Sequence, residues 1–103
     1  MTRLFDPADT RPVHFVGIAG AGMSALAELF ALRGLSVTGC DQHPENAPDL
    51  AARGIPVEIG HSPAHVDVAR ALVVTSAMPK DHPELVRARE LGLHVREHAH
   101  HPR

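Results

Sequence analysis

The sequence predicts an α/β fold, a doubly wound parallel sheet of about five strands in a single domain. Three observations predict it. Apolar strand-like runs alternate with helix-period segments in the order β-α-β-α-β-α-β-α-β. The run Ala71-Leu72-Val73-Val74-Thr75-Ser76 begins with continuous rather than alternating apolar residues, as in a strand covered on both faces. A glycine cluster, Gly17-Ile18-Ala19-Gly20-Ala21-Gly22, joins the first strand to the first helix. At 103 residues, 44% hydrophobic and 21% charged, the composition is globular and sized for one domain.

Each element has a local reason. After an extended, proline-bearing lead (1–12), Val13 to Ile18 reads as a buried strand. Met23 to Arg33 reads as a helix with Leu26, Leu29, Phe30 and Leu32 on or near one face, closed by Gly34. Leu35 to Cys40 is a second strand, and Asp41 starts a loop whose Pro and Asn content favours turns. Asp49 to Gly54 is a short helix stopped by glycine, and Ile55 to Ile59 a third strand. Gly60 breaks that strand, Ser62 is placed to cap a short turn, and Pro63 suits its first position. Beyond the fourth strand and the Pro79 break, Pro83 to Leu91 is a helix ended by Gly92, and Leu93-His94-Val95 a fifth strand. Residues 96–103 read as a flexible, His-rich tail, leaving 13–95 as the folded domain.

Charge and composition exclude several classes of function. A net charge of −2, from ten basic and twelve acidic residues spread along the chain, supplies no basic surface for nucleic acid. No apolar stretch approaches the roughly 20 residues that span a bilayer, and the N-terminus lacks the apolar core of a secretory signal, so a cytoplasmic protein is expected. The single cysteine, Cys40, rules out an internal disulfide and reads as a small buried residue rather than a nucleophile. Nine histidines invite a metal reading, above all His94, His98, His100 and His101, but a tail supplies spacing without converging geometry, so no metal is expected.

In a doubly wound sheet ligands meet the carboxyl ends of the strands, and a glycine turn into a helix aims unpaired N–H groups and a positive dipole end at an anion. The candidates there are the glycine loop, Asp41, His61 and Thr75 to Ala77. The glycines also permit tight packing without any ligand. Asp41 lies 19 positions past Gly22, near the roughly 20-residue offset of a ribose-binding acid in dinucleotide sites, and it equally suits a strand-loop cap. Ser76 suits either binding or loop capping, and His61 lacks a catalytic partner nearby in sequence.

The segment His14-Phe15-Val16-Gly17-Ile18-Ala19-Gly20-Ala21-Gly22-Met23-Ser24 resembles the opening of the Mur ligases, typically HFVGIGGAGMS. Val37 to Asp41, Ile59-Gly60-His61, Thr75 to Met78, Pro83 to Val86 and Ala88 to Gly92 keep the family's register, so the resemblance covers roughly residues 13 to 95. It implies a Rossmann-like N-terminal domain that binds the UDP part of UDP-N-acetylmuramic acid, or of a muramoyl-peptide form. The residues it implicates are Ala19, Gly20, Ala21, Gly22, Met23, Ser24, Asp41, Gln42, His61, Thr75, Ser76 and Ala77. It implies ATP and Mg for the complete ligase, whose central and C-terminal domains this chain does not contain. The chain has no G-x-x-x-x-G-K-[ST] loop, and its one lysine, Lys80, lacks the needed glycines, so no catalytic residue is expected in it. Ala19 departs from the family's glycine and brings a methyl group to where the backbone nears a diphosphate. A nicotinamide-binding domain and a non-catalytic regulatory module are the rival readings.

Overall fold

The computed structural model describes residues 9–42, 45, 47–76 and 78–98. Five strands, β1 (Val13–Val16), β2 (Val37–Asp41), β3 (Val57–Ile59), β4 (Ala71–Thr75) and β5 (His94–His98), form one sheet in the order β3-β2-β1-β4-β5. Every pairing is parallel. The chain therefore winds outward through β2 and β3, then returns to β4 on the other side of β1. That reversal makes the β1/β4 boundary the topological switch point.

The two faces of the sheet carry separate cores. Helices α1 (Ala21–Leu32) and α2 (Ala47–Ala52) cover one face, where Met23, Ala27, Phe30 and Leu50 pack on Val13, Phe15 and Val73. Helices α3 (Ala64–Asp67) and α4 (Pro83–Leu91) cover the other, where Val66, Leu85 and Ala88 pack on Val16, Leu72 and Val74. All four residues of β1 are buried, as a central strand requires. At its foot, the buried Arg70 ties down the lead by donating to the Asp9 carbonyl from Nη1 (2.7 Å) and to the Pro12 carbonyl from its amide (2.9 Å).

Several boundaries move for identifiable reasons. Helix α1 starts at Ala21, two residues earlier than expected, because Gly20 takes the extended cap conformation and Ala21 and Gly22 after it are already helical. Its core stripe is Met23, Ala27 and Phe30, whereas Leu29 and Leu32 are 45% and 84% exposed. At about 100° per residue, positions two away from Ala27 and Phe30 point to the opposite side. Strand β5 continues through Arg96, Glu97 and His98, which were expected in the tail. Parallel pairing with β4 holds them, down to Thr75 opposite His98. Helix α4 matches its expected span, with Pro83 in its first turn and Gly92 in the left-handed conformation at its end.

Candidate functional site

The turn after β1 is built on three backbone bonds and one carboxylate, the Gly20 amide donating to the Gly17 carbonyl at 3.3 Å. Gly17 and Ile18 both donate their amides to the Cys40 carbonyl, at 2.8 and 3.1 Å. Gly17 adopts φ +78, a conformation L side chains rarely take, so the glycine is required there. Asp41, at the end of β2, accepts the Ala19 amide on Oδ2 at 3.0 Å. Ala19 itself has a negative φ, so its methyl costs the backbone nothing.

Gly20 differs from Gly17. Its φ is −60, and a Cβ there would meet Gly17 O at 3.7 Å and Met23 Cγ at 3.9 Å, ordinary contact distances. The protein's own packing therefore leaves room for a side chain at the entrance of α1. Gly22 is exposed, and a Cβ on it would come within 3.0 Å of His98 Nε2. The sequence reading placed His98 in the tail; only strand pairing brings it to α1.

A cleft of about 610 Å³ opens at the carboxyl ends of the strands. Gly17, Gln42, His61 and Thr75, from the ends of β1, β2, β3 and β4, all line it, and His82 joins them from the start of α4. Ser76 faces the neighbouring cleft of about 520 Å³, shared with Thr75, and donates its amide to the His98 carbonyl at 3.1 Å. Met23 is 5% exposed, so its side chain belongs to the core. Ser24 donates its amide to the Gly20 carbonyl within the helix. Ala21 begins α1, and Ala77 lies outside the described residues.

Beneath the cleft sits a polar group that sequence reasoning did not assemble. Glu84, in the first turn of α4, is fully buried, and its carboxylate gathers His14, Cys40, His61 and the Ser62 amide. Burial alone would raise its pKa, but hydrogen bonds from His14 and Cys40 and the fields of His14 and His65 outweigh that and hold it at about 2. The Cys40 thiol is pushed up by burial and then by the Glu84 charge, so it stays protonated. His82 caps α4 by accepting the Glu84 amide at 3.2 Å, and its ring meets His61 edge-on, centroids 4.7 Å apart. Burial first, then the neighbouring His61, lowers the His82 pKa. A histidine directly before a helix-starting proline was the available signal for this cap.

Comparison with known proteins fits this arrangement. The sequence family described as "Mur ligase family, catalytic domain" matches residues 12–101. The UDP-N-acetylmuramate–L-alanine ligase of Cutibacterium acnes is 45% identical over 93 residues, 89% of this chain and 20% of that protein. The Deinococcus radiodurans ligase of the same name is 48% identical over 89 residues, 81% of this chain and 18% of its own length. The chain thus spans about one fifth of these curated relatives. Among solved structures, UDP-N-acetylmuramate-alanine ligase MurC from Thermotoga maritima superposes with a TM-score of 0.77 at 34% identity, covering 84% of this chain and 20% of that one. UDP-N-acetylmuramate:L-alanyl-gamma-D-glutamyl-meso-diaminopimelate ligase from Neisseria meningitides gives 0.75 at 28% identity, covering 86% and 29%. With a glycine turn braced at the head of a 3-2-1-4-5 parallel sheet and a family match spanning most of its length, this chain belongs to the Mur ligase family.

Proposed function

We propose that this chain is the substrate-holding module of an ATP-dependent ligase that joins L-alanine to UDP-N-acetylmuramate in cell-wall precursor synthesis, and that it binds the UDP part. The observation that carries this reading is the convergence of four strand ends on one cleft at the β1/β4 switch point, where open parallel sheets take nucleotides. The first-turn amides of α1 face the diphosphate, and the bare Gly20 lets it approach. Each anion contact at a helix end contributes about 0.3–1 kcal/mol, up to ~2 when partly buried, so Thr75 and Ser76 are needed as further donors. Gln42 and His61 flank the uridine side of the cleft. ATP and Mg belong to the complete ligase, in domains beyond the fifth of its length represented here. Among the described residues no helix is long and apolar enough to cross a membrane, and a cytoplasmic site of action goes with this reading.

The test is amide chemical-shift mapping with UDP-N-acetylmuramate and, separately, NAD. The proposal expects Gly20, Gly22 and Ser76 to shift with the UDP-sugar and not with NAD. Shifts with NAD alone select a nicotinamide domain, and shifts with neither select a regulatory module.

A further inference from the structure

We propose that His14, Cys40, His65 and Glu84 form a zinc-type metal site beneath the cleft. The four residues come from β1, β2, α3 and α4, and their ligand atoms lie within 4.8 Å of one another. His14 Nε2 is 3.0 Å from Glu84 Oε1 and 3.3 Å from Cys40 Sγ, Cys40 Sγ is 3.4 Å from Glu84 Oε1, and His65 Nδ1 is 3.4 Å from the same oxygen. Bonds of about 2.0–2.3 Å to zinc set tetrahedral edges of about 3.3–3.8 Å, so three of the six edges already stand at the required length and the His14–Glu84 edge, at 3.0 Å, would open slightly.

Hydrogen bonding alone leaves this group crowded, with more contacts converging on Cys40 than one thiol can satisfy. Cys40 Sγ approaches His14, His61 and both Glu84 oxygens with a single proton to give. His65 Nδ1 is buried and makes no hydrogen bond, although it sits beside a carboxylate. A buried ring nitrogen left in that state destabilises the fold, and a coordinated cation offsets that cost. The mixture of one thiol, two imidazoles and one carboxylate matches a borderline-soft ion rather than Mg or Ca.

An outer partner is also in place. Thr38 Oγ1 lies 2.9 Å from His14 Nδ1. With the ion bound, His14 would give up its Nε2 hydrogen bond to Glu84 and carry its ring proton on Nδ1, donated to Thr38, which leaves the Nε2 lone pair for the metal, the support that metal-bound histidines usually have. On binding, the Cys40 proton leaves to solvent and the thiolate sulfur takes up the metal. Four protein ligands close the sphere, so the site is structural: it would clamp α3 and the start of α4 to β1 and β2, directly under His61 and His82 of the cleft. It departs from the sequence expectation of no metal, and it uses none of the tail histidines.

The experiment uses the full chain, stripped with a chelator and titrated with Co2+, then back-titrated with Zn2+. Because Cys40 is the sole cysteine, a thiolate-to-cobalt charge-transfer band can arise from it alone. The expected result is that band with tetrahedral cobalt absorption at one equivalent, both removed by Zn2+. Cys40→Ser should abolish the band and weaken zinc at least tenfold, and Thr38→Val should keep the band while weakening zinc about 10- to 100-fold. A variant carrying His100→Gln and His101→Gln should keep the band. Far-UV circular dichroism reports whether each variant folds. The proposal is overturned if folded wild-type chain binds cobalt without the band, does not bind it, or binds zinc equally well after Cys40→Ser.

Discussion

The Asp41 carboxylate holds the Ala19 amide at 3.0 Å, so the acid at the end of β2 braces the glycine turn that follows β1. This gives Asp41 a position between its two sequence readings: it is fixed by the loop, yet its neighbour Gln42 lines the cleft. Hydrogen bonds to charged groups contribute about 1.5–3 kcal/mol, so Asp41→Ala should lower unfolding free energy by about that much. Asp41→Asn, which keeps an acceptor, should lose less. Urea denaturation measures both, and UDP titration should show the same order of weakening.

Ala19→Gly separates steric from conformational effects. The residue already has negative φ, so the glycine relieves no strain and, through the unfolded chain, costs about 0.4–1 kcal/mol of stability. If the methyl crowds the diphosphate, UDP affinity rises in the same variant. Unchanged affinity by calorimetric titration would remove the steric argument.

Gly39 on β2 is required by Ile18. A Cβ there would lie 2.4 Å from Ile18 Cδ1 and 2.8 Å from Ile18 Cβ, too close for a rotamer change alone to relieve. Gly39→Ala should cost about 1–3 kcal/mol in thermal or urea unfolding. Pairing it with Ile18→Val should recover part of the loss in a double-mutant cycle.

Acid should act through Glu84. Its folded pKa, about 2, lies below its ordinary 4.5, so the unfolded state binds the proton first. Its contribution is fully present above pH 4.5 and is lost as pH falls from there toward 2. In chelator-treated chain, urea midpoints should fall across that window, and Glu84→Gln should flatten this part of the profile.

The His82 cap offers a separate test. Replacing it with Ala removes the acceptor for the Glu84 amide and should cost about 0.5–2 kcal/mol, whereas His82→Asn should restore most of it. Because burial and His61 depress the His82 pKa, protonation below its ordinary 6.5 opposes the native cap. Wild type should therefore lose stability on acidification through that region, a component absent from the Asn variant.

Much of this molecule was legible in one dimension. The continuous apolar run of β4, the proline and glycine that bound α4, and the glycine turn after β1 are local signals, and each element lies within a few residues of its expected place. The site candidates were readable for the same reason, because strand ends are where a parallel sheet presents its loops. What failed depended on partners distant in sequence. The apolar pattern of β5 ends at Val95, yet pairing with β4 carries the strand to His98 and sets that ring against Gly22.

By itself, then, the sequence determined the alternating α/β order, the glycine turn after β1 and the family, because these rest on short-range periodicity and contiguous motifs. Tertiary structure alone decided which buried polar groups meet. The β1/β2 register sets His14 beside Thr38 and Val16 beside Cys40, and the parallel pleat turns His14, Thr38 and Cys40 to the face covered by α3 and α4. His65 and Glu84 arrive on those two helices. Residues as far apart as 14 and 84 share one buried cluster because a sheet converts strand order and register, which no local pattern encodes, into contact.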